Sequence, residues 1–244
     1  MKLDALHIPG RSHHIAAAYY QPEGNRRDLA VAIAHGYTAG KYSVDGLANY
    51  LAHHGYPVLT FDFAGHKLGG TTGELESMLT ADANLKDAVH WLRRNSAAGG
   101  VVIVGHSMGG AVAIQVAAEE MAAPQPAEPP LRGVIALCVS AEPERSFSSP
   151  VGSAMLAQRS AYVNGASSAE LYPQIRARAL AAANLKQLPT LFIAALRDVI
   201  VEPDRLKELC ELAGPYAEYA TVDAAHMDAP DRARGLVGAW LDRL

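Results

Sequence analysis

Three short stretches of this 244-residue chain carry side chains whose types and spacing could do chemistry together. The first, Gly105-His106-Ser107-Met108-Gly109, sets a hydroxyl between glycines, after an apolar run and before a small-residue apolar run. A Gly-x-Ser-x-Gly turn between strand and helix holds its serine on a sharp bend and exposes Oγ at the strand end. The helix that follows offers unpaired N–H groups and positive potential where negative charge would develop. Glycines also serve plain tight turns, so the pattern gains meaning only from its surroundings.

A serine hydroxyl at neutral pH needs a base within hydrogen-bond reach to act as a nucleophile. The chain has ten histidines. His226, in TVDAAHMDAP, follows the last strand-like run on a loop free to lean toward Ser107, and His66, in DFAGHKLGG, is its rival. His35 and His106 adjoin the suspected turns and are expected to orient loops rather than move protons. His7, His13 and His14 fall in the opening strands, His53 and His54 close a helix, and His90 lies mid-helix. His226 is preferred because an acid precedes it in the expected chain order, Asp198 in LFIAALRDVIVEP. A carboxylate there would accept the proton of the far ring nitrogen, fix the tautomer and stabilise the imidazolium. Asp223 and Asp228 are nearer along the chain, but nearness on a loop does not put them behind the ring. Asp204 reads as a cap or first-turn residue of the helix after Pro203.

Two backbone N–H groups would complete the site as an oxyanion hole. One belongs to Met108, the residue after the serine, and the other to Tyr37 in IAHGYTAGK, where Gly36 allows a tight turn. Such donors typically supply about 3–4 kcal/mol each at the transition state. The Tyr37 side chain could instead line a pocket.

The elements that must position these groups alternate. ALHI and HHIAAAYYQ open as an antiparallel pair of strands. LAVAIAH (29–35), YPVLTFD (56–62), VVIVG (101–105), GVIALCV (133–139), TLFIAAL (190–196) and YAEYATVD (216–223) read as further strands. Helical spacing fills the gaps: YSVDGLANYLAHHG, TADANLKDAVHWLRRN with Thr80 as N-cap, Ser107 through Glu120, PDRLKELCELAG and APDRARGLVGAWLDRL. This alternation predicts an α/β fold, a mostly parallel sheet with helices on both faces, whose ligand sites lie outside the carboxyl ends of the strands. The proline-rich APQPAEPP (123–130) reads as a surface loop because the alternation resumes after it. The longer break at 141–187 has helix signals of its own: Ser149 before Pro150, an Asn-Gly turn at 164–165, and Ser168 with Glu170. It reads as a small helical insertion over one edge of the sheet, with 1–140 and 188–244 as the core. Its Met155, Leu156, Tyr162, Leu171 and Tyr172 either line a pocket or pack the insertion onto the sheet.

Composition narrows the function classes. Half the residues are hydrophobic and 19% are charged, the balance of a globular protein with a substantial core. A net charge of −4, with no run of Lys and Arg, argues against a nucleic-acid partner. Asp4 and Pro9 interrupt the opening residues where a signal peptide needs an apolar stretch, and no segment reaches membrane-spanning length. A cytoplasmic protein without membrane insertion is expected. Cys138 and Cys210 read as buried hydrophobes rather than a disulfide. The doublets His13-His14 and His53-His54 lack ligand spacing with carboxylates, so no metal is expected.

With Ser107, Asp198 and His226 in that order, joined by HGYTAG and LTFDFAGHKLGGTTGE, the chain resembles the α/β-hydrolase superfamily over nearly its whole length. Within it the sequence is most similar to small bacterial carboxylesterases, the group of cinnamoyl and feruloyl esterases and monoacylglycerol-lipase-like enzymes. The resemblance implies an eight-stranded sheet and a small-molecule ester cleaved through an acyl-enzyme without a cofactor; an ester with a small or aryl acyl group is expected, and monoglycerides remain open. It also implies a cap at 141–187 that closes the acyl and alcohol pockets. One departure stands out: relatives often carry Gly-x-Gly-x-Ser after the strand-ending aspartate, where this chain reads Gly65-His66-Lys67-Leu68-Gly69. A turn anchored by Asp62 is expected there. The same serine, acid and base would serve thioesters, amides, lactones or the carbon–carbon bond of a diketone. A non-catalytic binding protein of this fold tends to lose a triad member, and here all three are present. Dehalogenases and epoxide hydrolases of the fold need an aspartate where Ser107 stands.

Overall fold

The computed structural model describes residues 1–10, 14–123, 128–146 and 148–244. Among them, eight strands form one sheet: β1 (Lys2–Pro9), β2 (His14–Gln21), β3 (Leu29–Ala34), β4 (Val58–Phe61), β5 (Gly100–His106), β6 (Leu131–Leu137), β7 (Thr190–Ala195) and β8 (Ala217–Val222). Their spatial order is β1-β2-β4-β3-β5-β6-β7-β8. β2 runs antiparallel to both β1 and β4, and every pairing from β4 across to β8 is parallel. Six carboxyl ends therefore open on one rim, and the strand-following residues named above all fall there.

The unbroken apolar runs have a simple cause. Parallel neighbours need crossover connections, and those helices cover both faces of the sheet. α1 (Asp45–His53), α8 (Ala229–Arg232) and α9 (Arg234–Leu241) pack on one face; α2 (Met78–Asn95), α3 (Met108–Ala122) and α7 (Pro203–Ala213) pack on the other. In β5, Val101 and Ile103 join the core under α2 and α3, while Val102 and Val104 join the core under α1 and α9. Each face reads every second residue, and both faces are dry. The insertion folds as α4 (Pro143–Ser146), α5 (Pro150–Arg159) and α6 (Ser168–Leu180). Because α6 packs on α3 from outside, α3 is buried on most of its sides.

The insertion is not laid along an outer strand. The backbone of 162–165 bonds to the loop after β4: Lys67 N–H donates to Tyr162 O, Asn164 N–H to Gly65 O and Leu75 N–H to Asn164 O, each at 2.8 Å. A buried ion pair, Arg178 Nη2 to Asp82 Oδ2 at 2.5 Å, fastens α6 to α2. It thus lies across the carboxyl ends of the central strands. Gly165, at φ +126°, makes the expected Asn-Gly turn where any Cβ would strike Leu75.

Helix starts differ in informative ways. Ser149 caps α5 as expected, its Oγ accepting from Gly152 N–H at 3.0 Å. α6 is capped by Ser167 rather than Ser168, since the reciprocal box with Glu170 needs a three-residue step. α2 begins at Met78, ahead of Thr80, and Gln174 Oε1 on α6 accepts from the Met78 N–H at 2.9 Å. The terminal helix is broken at Ala233 into α8 and α9. Cys138 and Cys210 are both free and buried. No helix of the described residues is long and apolar enough to cross a membrane. The expectations for His13 and for residues 124–127 of the proline-rich loop lie outside the described residues.

Candidate active site

Ser107 joins β5 to α3 with φ +54° and ψ −120°. A non-glycine residue in such a region stores roughly 1–3 kcal/mol of strain, which the surroundings must overdetermine. Three hydrogen bonds do so: Ser107 N–H donates to Leu137 O at 2.8 Å, and its carbonyl accepts from Gly110 N–H at 2.9 Å and Ala111 N–H at 3.2 Å. The flanking glycines answer to packing. A Cβ on Gly109 would press into the Ala34 and His35 carbonyl oxygens, and one on Gly105 into the backbone of Gly109. Helix and strands approach at this point too closely for any side chain.

Asp198 and His226, 28 residues apart, meet on the loops after β7 and β8: His226 Nδ1–H donates to Asp198 Oδ2 at 2.7 Å. The other carboxylate oxygen, Oδ1, accepts from Ile200 N–H at 2.8 Å and Val201 N–H at 2.9 Å, which aims Oδ2 at the ring. The Asp198 side chain is 0% exposed and that of His226 6%. Burial pushes the Asp198 carboxyl upward, but the His226 hydrogen bond and charge and the two N–H groups outweigh it, holding it below the usual carboxylate range. With Nδ1–H committed to the carboxylate, Nε2 of the neutral ring keeps a lone pair. The Ser107 hydroxyl makes no hydrogen bond among the described residues; Ser107 and His226 line the same cavity. Hydrogen bonds between nucleophile and base often tighten only when substrate binds.

The rivals are engaged elsewhere. Asp223 is exposed and paired with Arg197 at 2.7 Å, Asp228 is exposed, and Asp204 occupies the first turn of α7. His66 is buried against His35 and Phe63, and its Nδ1 donates to Ala64 O at 3.2 Å. Burial, then the neighbouring His35, holds its pKa down to about 3.

Two histidines position loops, as their places in the chain suggested. His106 Nε2–H donates to the His226 carbonyl at 2.9 Å, with ring centroids 4.8 Å apart. Burial, then the adjacent His226, lowers its pKa to about 3, so it stays neutral. The residue before the serine thereby anchors the loop that carries the base. His35 donates Nδ1–H to Gly36 O at 2.8 Å and accepts from Phe63 N–H at 3.1 Å, bridging the loops after β3 and β4. Asp62 ties the same loops, accepting from Lys41 N–H at 2.6 Å, Lys41 Nζ at 2.5 Å and Gly70 N–H at 2.8 Å. Among the described residues, neither the Tyr37 nor the Met108 N–H has an acceptor. Gly36 begins a tight turn, its carbonyl accepting from Ala39 N–H at 3.2 Å, and its lack of a side chain also meets a packing need. The left-handed residue of this loop is Thr38, at φ +64°, whereas a Cβ on Gly36 would lie 3.2 Å from His106 Nδ1 and 3.3 Å from Ser107 Cβ.

Two cavities meet at Ser107. The larger runs past Met108, Val139, Leu171, Ile175 and Val201; the smaller holds His226, Met155, Arg159 and Met227; Tyr37, Leu156 and Ile200 border both. Of the residues expected from the insertion, Met155, Leu156, Leu171 and Tyr172 line a cavity, and Leu171 is also core. Tyr162 lines neither; its ring lies 5.9 Å from the Arg159 guanidinium and is 39% exposed. Val139, Ile175, Ile200, Val201 and Arg159 were not singled out from sequence. His106, Cys138 and His226 place ligand-type atoms within 4.8 Å of one another. They suit an ion poorly, because burial, then the Asp198 charge, pushes the Cys138 thiol up and away from the thiolate an ion would need.

Solved structures with the same fold include esterases. One from Pyrococcus furiosus superposes with a TM-score of 0.74 at 20% identity, covering 99% of this chain and 91% of that one. A hyperthermophilic esterase from Pyrobaculum calidifontis gives 0.76 at 19% identity, covering 99% and 85%. A Butyrivibrio proteoclasticus protein solved with ferulic acid bound gives 0.73 at 15% identity, covering 98% of each chain. No curated relative matches the sequence. The model of the alpha/beta hydrolase family matches residues 31–243, and the chain belongs to that family.

Proposed function

We propose that the protein hydrolyses carboxylic esters through an acyl-enzyme, with Ser107 as nucleophile, His226 as base and Asp198 as the acid that orients it. The observation that carries this reading is the 2.7 Å contact between Asp198 and His226, with His226 lining the cavity that the strained Ser107 turn also borders. Ser107 Oγ attacks the ester carbonyl while its proton passes to His226 Nε2. The oxyanion accepts hydrogen bonds from the Tyr37 and Met108 N–H groups. Collapse expels the alcohol, which takes the proton from His226; water then repeats the sequence and releases the acid. Helices α4–α6 act as the cap over both cavities. The walls formed by Val139, Leu171, Ile175 and Val201 suit a short or aryl acyl group. Two buried free thiols fit a reducing compartment, and the cytoplasm is the proposed location.

A fluorophosphonate label followed by peptide mass spectrometry tests the reading. Label is expected on Ser107 at neutral pH and is lost in Ser107→Ala and His226→Ala. Absence of label would favour a binding module, labelling elsewhere would remove Ser107 as the nucleophile, and undiminished labelling in His226→Ala would remove His226 as its base. A series of p-nitrophenyl esters tests the acyl assignment, which fails if long-chain esters turn over faster than short ones.

A further inference from the structure

Arg159 is the one permanently charged side chain among the described residues lining the two cavities at Ser107. It ends α5 and reaches the loop after β3, where Nε–H donates to Thr38 Oγ1 at 3.1 Å and Nη2–H to the Thr38 carbonyl at 3.4 Å. Its remaining partner among the described residues is the Tyr162 ring, and no carboxylate is among them. Arg93, Arg176, Arg178, Arg205 and Arg243, by contrast, each pair with a carboxylate. A guanidinium has five N–H donors in a planar fork, so most of this fork is unused by the protein. A half-buried cation without a counter-ion, on the wall of a cavity, is suited to an anion brought by a ligand.

The side of the nucleophile also matters. Arg159 and His226 line the same cavity, and the larger cavity has no charged residue. His226 gives its proton to the departing oxygen, so the alcohol half of the ester leaves past the wall that Arg159 shares. Lys67, whose ammonium donates to the Ala161 carbonyl at 2.8 Å, adds a second cation beside the same turn. Resting on the ester-hydrolase reading above, we propose that Arg159 binds a carboxylate carried by the alcohol half of the substrate. The preferred ester thus pairs an anionic leaving group with an uncharged acyl group.

Two acetate esters of matched shape test this: 3-carboxyphenyl acetate, which is anionic, and 3-carbamoylphenyl acetate, which is neutral. Each kcat/KM is divided by that ester's hydroxide-catalysed rate. The wild-type ratio is expected to favour the anionic ester by roughly tenfold or more, the scale of one charge-assisted pair. Arg159→Gln brings the ratio toward one, and Arg159→Lys keeps part of it. If Arg159 only braced α5 against Thr38, substitution would slow both esters alike and leave the ratio in place, which would overturn the proposal. A wild-type ratio near one would overturn it as well. So would a preference that appears instead for 4-nitrophenyl hydrogen succinate over 4-nitrophenyl butyrate, because the charge would then sit on the acyl half. Absence of turnover of both esters by the wild type would remove the ester-hydrolase reading itself, and undiminished turnover by Ser107→Ala would remove its nucleophile; an unmoved ratio removes only this inference.

Discussion

At the scale of single residues, the pair behind the serine makes a sharp demand on chemistry. Asp198→Asn preserves shape and the bonds from Ile200 and Val201, but an amide nitrogen facing Nδ1 would force the wrong tautomer. Losing that tautomer costs roughly 10⁴-fold in kcat in serine triads of this kind. A loss under tenfold in a p-nitrophenyl acetate assay would mean that Asp198 is not the orienting acid. His106 acts one step further back, through the carbonyl of His226. His106→Phe keeps most of the bulk and strands that carbonyl, so kcat is expected to fall about tenfold with KM nearly unchanged. His106→Gln, which can still donate, should recover part of the loss; equal losses in both variants would reduce His106 to a packing residue.

At the scale of elements, close approach of helix and strands is what brings the serine to the rim. Gly109→Ala would drive a Cβ to 2.4 and 2.5 Å from backbone carbonyl oxygens of β3 and its loop, whereas Gly110→Ala meets a side-chain methyl of Val139, its nearest backbone atom, Gly105 O, lying at 3.0 Å. Overpacking of this kind costs about 1–3 kcal/mol. Gly109→Ala is expected at or above the upper end and Gly110→Ala at the lower end, read as urea midpoints, and the reverse order would refute the backbone account. Much of this layer was legible in the chain. Ser107, Asp198 and His226 each follow an apolar run, and in a parallel sheet the end of such a run is the end where sites form. What stayed hidden depended on contacts across the fold. The first N–H of α2 is satisfied by Gln174, 96 residues away, so no local signal could set that boundary. Val139, Ile175 and Val201 look like ordinary core residues along the chain and become cavity wall only where the insertion crosses the rim. Thr38 carries a left-handed backbone, at φ +64°, that no glycine at its position signalled.

At the scale of the whole molecule, three buried histidines couple the fold to pH. Burial lowers the pKa of His35, and it holds those of His66 and His106 at about 3, against an unfolded value near 6.5. Below about pH 6.5 the unfolded chain takes up protons that the folded chain refuses, so stability falls as pH drops toward 3. His66 and His106 each contribute a loss of about 1.4 kcal/mol per pH unit below about pH 6.5, and His35 adds in the same direction. Asp198 adds to this only under more acid conditions, because its depressed carboxyl stabilises the fold above its unfolded pKa and loses that effect as pH falls through the folded one. Urea midpoints should therefore decline steadily between pH 7 and 5, and a flat profile there would contradict neutral buried rings. Asp62 has a consequence for how mutational maps of this protein should be interpreted. Its side chain is wholly buried and gathers three donors from two loops, so changing it would slacken both walls at once without touching any reactant. A screen scored on turnover alone would rank it beside the nucleophile, and only a parallel thermal-melt screen would separate the mooring from the machinery.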